Sequence, residues 1–222
     1  MGRVSALSGR HGTDFLRRSL GDLLLGWTSG SMRSPADARW ENMVEANMTN
    51  QWVKLELDVA AFDTPHFETY VARCREDGIR LTTLAALGDT PEHRRALYAL
   101  NKECSADIPE RGEFYTYEEY AERRFGAAGY DPRGIVIALD GDEWIGMAAT
   151  SLQEGFLFNE MTGVRAGHRG RGISIAMKTF GMAFVRESGA STVRTFHHPA
   201  NANAIAMNRR MGYVETDTET DG

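Results

Sequence analysis

Apolar and polar residues alternate from Val53 to Val59, with Lys54, Glu56 and Asp58 interleaved between Val53, Leu55, Leu57 and Val59. A two-residue period of this kind predicts a half-buried strand. The period lengthens over 65–77, which predicts a helix stopped at Gly78. A second strand is predicted over 79–87. Thr90-Pro91 then opens a helix through RRALYALNKE, with proline in the first turn, where its missing amide does no harm. Beyond the loop SADIPERGEFY, Thr116 and Glu119 have capping-box spacing, so YEEYAERRF is a further helix. GIVIAL and WIGMAAT flank Asp140-Gly141-Asp142 and predict a hairpin. A longer strand over 156–164 leads into a cluster of glycine and arginine, HRGRGI, and an amphipathic helix over 173–188. A strand at 192–196, a helix over 201–211 and Gly212-Tyr213-Val214 complete the pattern. No internal repeat is present, and the order of elements predicts a mixed α/β layer fold.

Residues 1–40 lack such periodicity. They are rich in Gly, Ser and Arg around one short amphipathic stretch, DFLRRSLGDLLLGW, which predicts partial disorder with one short helix. The 222 residues, with 42% hydrophobic and 25% charged, suffice for one main domain with a sizeable core. A formal net charge of −6 argues against general nucleic-acid binding. The early apolar run Leu23–Trp27 is too short to span a bilayer, so no membrane association is expected. Cys74 and Cys104 read as spare thiols of a reduced cytoplasm rather than a disulfide framework.

The glycine cluster lies between a predicted strand and a predicted helix. First-turn amides of a helix lack intrahelical partners and face anions favourably. Gly170 and Gly172 permit close backbone approach, and Arg169 and Arg171 can add charge-assisted hydrogen bonds. The spacing G-x-x-G-x-G of Gly167, Gly170 and Gly172 is neither the dinucleotide fingerprint nor a P-loop. A solvated Gly/Arg turn that binds nothing is the plain alternative. His197-His198 point to opposite faces of a strand and lack further ligands nearby, so no metal is expected.

Val164 followed by Arg169-Gly170-Arg171-Gly172-Ile173 resembles the acyl-CoA pyrophosphate loop of the GNAT superfamily of N-acyltransferases. Asn201, Ala204, Asn208, Gly212 and Tyr213 resemble that family's C-terminal helix. The combination TGV…HRGRGI…AMK…N…N…MGY is most similar to the second halves of tandem GNAT proteins, over about 79–214. One departure is Gly167, where the family usually carries Gln or Arg. The resemblance implies an α/β (α+β) fold, with a mostly antiparallel central sheet flanked by helices and a parallel splay between the fourth and fifth core strands. It also implies a job for each matched position. Main-chain groups of Thr162 and Val164 would pair with the pantetheine arm of acetyl-CoA. Arg169, Gly170, Arg171, Gly172, Ile173 and Ser174 would hold the pyrophosphate, and Asn201 and Asn208 would face the pantetheine and thioester.

An alkylamine must lose a proton to attack, since its pKa is about 10.4. Glu160 is the expected base, four residues before Val164 and so on the same strand face, in an apolar setting that raises a carboxyl pKa. An exposed glutamate on a polar sheet face is the alternative. Asn208 stands where many relatives carry a general-acid tyrosine; an amide there can donate a hydrogen bond to sulfur but no proton. Tyr213 reads as a core aromatic.

In the family the acceptor is met by the segment corresponding to 105–125. Its Asp107, Glu110, Glu113, Glu118, Glu119 and Glu122, with Phe114, Tyr115, Tyr117 and Tyr120, suit a cationic small-molecule amine. The expected activity is N-acetyl transfer from acetyl-CoA to a primary amine by direct attack; the rival is a non-catalytic acyl-CoA-binding or regulatory module. No metal is called for, and a homodimer stays open. Residues 1–50 are expected to be an extension or remnant of a preceding domain. Residues 51–222 are expected to form the domain that resembles the GNAT family, with the strand 53–59 packed into the sheet near its C-terminal edge.

Overall fold

The computed structural model describes residues 52–216, apart from 107, 109–112 and 154. The helix expected within residues 1–40, and the extension expected over 1–50, lie outside the described residues. The strands are β1 (Val53–Asp58), β2 (Ile79–Thr83), β3 (Ile135–Asp140), β4 (Glu143–Leu152), β5 (Leu157–Val164), β6 (Thr192–His197) and β7 (Val214–Glu215). The helices are α1 (Thr64–Glu76), α2 (Leu84–Leu87), α3 (Pro91–Cys104), α4 (Tyr117–Phe125), α5 (Ile173–Glu187) and α6 (Ala202–Arg210).

All seven strands form one sheet in the order β2-β3-β4-β5-β6-β1-β7, antiparallel throughout except for β5 and β6. β1 lies between β6 and β7, with Val53 opposite His197 and Asp58 opposite Thr192. The strand predicted over 79–87 is shorter than its apolar pattern suggested. It ends at Thr83, whose hydroxyl accepts from the Ala86 amide at 3.1 Å and starts the one-turn helix α2. Gly88, at φ 94°, closes that turn in a conformation open chiefly to glycine.

The alternating strands divide their side chains between two faces. On one, Leu97, Leu100 and Cys104 of α3 pack over Ile135, Ile137 and Met147. On the other, Val71 and Cys74 of α1 and Ile173, Ala176 and Met177 of α5 pack over Val136, Ala148 and Val164. A third group joins Leu55 and Leu57 of β1 to Leu157, Val193, Met182 and Ile205. Capping fixes the helix starts chemically. Asp63, Thr90 and Thr116 each accept an amide from their helix, and Thr116 with Glu119 forms the full predicted capping box.

Candidate functional site

β5 and β6 pair only at Leu157↔Val193 and Phe158↔Arg194. Beyond these residues the two strands part, and the β6-facing edge of residues 160–164 has no strand partner among the described residues. The Arg165 amide donates to the Ile145 carbonyl at 2.8 Å, which sets the alternation along β5. Backbone groups of residues 161 and 163 therefore turn toward β4, and those of Thr162 and Val164 toward the open edge. The Val164 side chain itself is core, packed with Ile173 and Met177.

At the end of this opening the chain turns into α5. Gly170 and Gly172 have φ of 78° and 80°, and Gly172 is the N-cap of α5, with no side chain capping the helix. A Cβ on Gly172 would sit 2.6 Å from Cδ1 of Tyr70, so both space and backbone require glycine there. A Cβ on Gly167 would meet nothing within 4 Å, so the position where relatives carry a long polar residue has room for one. Ile173 is buried and contributes only its amide, whereas Ser174 is half-exposed. The two arginines are already engaged. Arg169 Nε donates to the Val164 carbonyl at 2.9 Å, bracing the loop on its own strand. Arg171 reaches Asp77 at 3.1 Å, beside His168 at 3.4 Å. A guanidinium carries five N–H donors and can make several hydrogen bonds at once.

Glu160 does not share a face with Val164, contrary to the expectation from spacing. β5 carries a bulge: Ala149 pairs with Met161 and Thr150 with Asn159, so Glu160 is the extra residue. The bulge inverts the alternation, and Val164 faces α5 while Glu160 faces α4. There Glu160 forms an ion pair with Arg124, and their side chains are only 13% and 11% exposed. The apolar strand predicts a partly desolvated carboxylate; the structure sets a guanidinium against it. Burial pulls the Arg124 pKa down, but the Glu160 carboxylate and the Tyr120 hydroxyl outweigh it and hold it above its ordinary value.

Beneath the opening lies a buried polar network that the sequence did not announce. Lys178 of α5, 7% exposed, donates to Asn208 Oδ1 of α6 and lies 4.3 Å from the centroid of the Tyr213 ring. Burial lowers its pKa to about 7. Asn208 Nδ2 contacts His197 Nε2 at 2.7 Å and donates to the Ala204 carbonyl at 2.9 Å. Burial, and then the nearby Lys178, lower His197 to about 4. The Tyr213 hydroxyl donates to Asn159 Oδ1 at 2.6 Å, and burial pushes its pKa up. Tyr213 is therefore a core aromatic, as its place beside Gly212 suggested. Asn208 lies 1% exposed, with all three of its polar positions in use inside the protein. In this arrangement its amide hydrogens are directed at groups of the protein, whereas the resemblance implies a donor to the thioester sulfur. Asn201 stands at the N-cap of α6, but its side chain makes no capping bond. One signal in the sequence pointed to Lys178: it falls on the buried stripe Ile175, Met182 and Val185, at helical spacings of three, four and seven.

The acceptor segment also differs from its expected character. Arg95 lies 4.2 Å from the Tyr117 ring centroid, Arg123 4.7 Å from Tyr115, and Arg124 5.5 Å from Tyr120. The cations over these aromatic faces belong to the protein itself. Glu119 is committed to capping α4, while Glu113, Glu118 and Glu122 are exposed. Asp107 and Glu110 lie outside the described residues. Among the described residues, no group of three or more His, Cys, Asp or Glu side chains is placed to hold a metal ion.

Comparison with known proteins agrees with this geometry. Residues 94–213 match the Acetyltransferase (GNAT) family. Curated relatives include a mycothiol acetyltransferase of Streptomyces scabiei, 29% identical over 130 residues, covering 58% of this chain and 42% of that protein. Another, from Mycobacterium sp. strain MCS, is 30% identical over 148 residues, covering 62% and 46%. The chain thus spans less than half the length of these relatives. Among solved structures, a glucosamine N-acetyltransferase region of a fungal multi-domain GH3 β-N-acetylglucosaminidase aligns with a TM-score of 0.54 at 14% identity, covering 83% of this chain and 22% of that one. A tandem GNAT protein from the clavulanic acid biosynthesis pathway aligns at 0.51 and 19%, covering 86% and 58%. At these identities the structural likeness speaks to the fold. With more than half its length matching the family, and with a sheet that parts between β5 and β6 beside a glycine-capped helix, the chain belongs to the Acetyltransferase (GNAT) family.

Proposed function

We propose that this protein transfers an acetyl group from acetyl-CoA to a primary amine of a small molecule by direct attack. The observation that carries the reading is the parting of β5 and β6 next to the uncapped N-terminus of α5. The open edge of Thr162 and Val164 offers strand-like hydrogen bonds to a pantetheine amide, as an added strand would find. The amides from Gly170 to Ser174 face the pyrophosphate, assisted by Arg169 and Arg171. Asn201, whose side chain caps nothing, lies free to meet the pantetheine from α6.

In the reaction the amine nitrogen bonds to the acetyl carbon, the carbon–sulfur bond breaks, and the amine gives up a proton. Glu160 is the group assigned to receive that proton, directly or through water. Arg124 orients the carboxylate, and the bulge turns it toward α4, the side on which the acceptor segment lies. A cationic body on the acceptor rests on the exposed Glu113, Glu118 and Glu122, because the neighbouring rings are already faced by arginines. Cys74 and Cys104 are buried and form no disulfide, which favours a reducing, cytoplasmic setting.

The test is release of free CoA from acetyl-CoA over a panel of small amines, paired with calorimetric binding of acetyl-CoA. Turnover with at least one amine is expected. Binding without turnover on any amine supports the non-catalytic acyl-CoA-binding module instead, and absence of binding overturns both.

A further inference from the structure

Asn208 fixes the protonation of its neighbour by hydrogen-bond arithmetic. A carbonyl oxygen can only accept, so the atom 2.9 Å from the Ala204 carbonyl is the amide nitrogen. Lys178 Nζ carries N–H donors in both its charged and its neutral form, so it can donate to the atom that remains, the amide oxygen. The Ala204 carbonyl thus fixes the orientation of the amide, and the Lys178 contact fits it. Its second N–H is then aimed at His197 Nε2, 2.7 Å away, and that nitrogen must be a bare acceptor. Thr195 Oγ1 is the other group near Nε2, at 3.4 Å, but its own proton goes to the Asn159 carbonyl at 3.1 Å. A proton on Nε2 would confront the Asn208 N–H at the shorter distance, so the shorter contact decides. The ring proton of neutral His197 therefore sits on Nδ1, for which no acceptor exists among the described residues.

His197 is the last residue of β6, three positions beyond the last pair joining β6 to β5. It is half-buried, and its Nε2 lies 3.4 Å from the Thr195 hydroxyl, which itself bridges from β6 to the Asn159 carbonyl of β5 where the two strands part. We propose that His197 is a further catalytic residue, giving a hydrogen bond from Nδ1–H to the thioester sulfur of acetyl-CoA, with Asn208 and Lys178 as the positioning residues that hold it in that tautomer. The proposal rests on the reading of the opening as the acyl-CoA site. His197 donates a hydrogen bond and keeps its proton, since loss of that proton would leave an imidazolate. As the carbon–sulfur bond breaks, the sulfur gains the electron pair and the N–H···S contact strengthens, while the leaving thiolate is protonated from solvent. A donor that strengthens as charge develops lowers the barrier without tightening the ground state. The position where relatives place a protic side chain is thereby served indirectly: Asn208 is turned inward, and the ring it orients faces outward.

The test uses the full chain with 15N-labelled histidine. The sequence has six histidines, and the His197 signals are assigned by their loss in His197→Gln. At pH 7.5 the wild type should show Nδ1 protonated and Nε2 bare. In Asn208→Asp the inner group accepts instead of donating, so Nε2 should become protonated. In that variant kcat for acetyl transfer should fall about tenfold or more, with acetyl-CoA affinity within about threefold. Loss of the donor in His197→Ala should lower kcat about 10²-fold. His197→Asn should recover most of that loss, because its amide can accept from Asn208 and donate outward. A wild-type ring protonated on Nε2, or His197→Ala with kcat within about twofold of wild type, overturns the proposal while leaving the acyl-CoA reading in place. Failure of the wild type to bind acetyl-CoA overturns that reading and the proposal with it.

Discussion

Glu160 and Arg124 face each other across the β5 bulge, each largely withdrawn from water and each the counter-ion of the other. Removal of one partner from such a pair leaves a buried charge uncompensated, at about 3–5 kcal/mol. Arg124→Met is therefore expected to destabilise the fold by about that amount in urea denaturation. The double variant Arg124→Met with Glu160→Leu should regain most of it, because no stranded charge remains. Equal losses in the single and the double variant would show that the pair carries little coupling.

Glu160→Gln keeps the size of the side chain and removes its basicity. If Glu160 receives the amine proton, kcat should fall about 10²–10⁴-fold. Acetyl-CoA affinity by calorimetry should stay within about threefold. Undiminished turnover in this variant removes Glu160 as the base.

The three glycines before α5 are expected to behave differently. Gly172→Ala meets both a backbone of φ 80° and the Tyr70 ring, so it should lower stability and weaken acetyl-CoA binding tenfold or more. Gly170→Ala carries the backbone penalty alone, since its Cβ has open space. Gly167→Gln has neither obstacle and should leave thermal stability within about 0.5 kcal/mol. Calorimetry should detect unchanged or tighter acetyl-CoA binding in that variant.

Lys178 gives the stability curve a marked pH dependence. Its pKa falls from 10.5 when exposed to about 7 in the fold. Between those values the unfolded chain binds a proton that the folded chain does not, so stability should rise with pH across that window. The contribution is fully present above pH 10.5 and is lost as pH falls toward 7. Lys178→Met removes this dependence, so the difference in unfolding free energy between it and wild type should change by about 1.4 kcal/mol per pH unit over that range. Parallel urea titrations at pH 7, 8.5 and 10 measure it. A constant difference would mean that the ammonium remains charged in the fold.

Periodicity and punctuation made most of the fold legible. The two-residue alternation of 53–59, the capping box at Thr116 and the Asp-Gly-Asp turn each act within a few residues, so local sequence carries them. The glycine cluster was legible for the same reason, because φ of 78° and 80° is a local demand. What escaped was set by long-range geometry. The bulge at Glu160 leaves no mark in the alternation of FLFNEMTGV, yet it decides which face every later residue of β5 takes. Arg124 is 36 residues from Glu160 and Lys178 is 30 from Asn208, and neither partnership follows from spacing. The four apolar residues after Thr83 fitted a strand as well as a helix until the hydroxyl of Thr83 decided it.

The position of β1 also governs when the fold can close. Leu55 and Leu57 are among the first described residues to be synthesised, yet their cross-strand partners Thr195 and Val193 come near the end. The Glu56–Arg194 ion pair joins residues 138 apart. At about 5–20 residues per second, a nascent chain holds these leucines without their partner strand for roughly 7–30 s. During that interval an alternating apolar strand has an open edge on each side, the circumstance in which strands pair with the wrong chain. Lys54, Glu56 and Asp58 occupy the opposite face of that strand, and their charges make each unpaired copy a poor template for another. The strand that completes the wall beside His197 is therefore also the segment whose early exposure the sequence has to keep soluble.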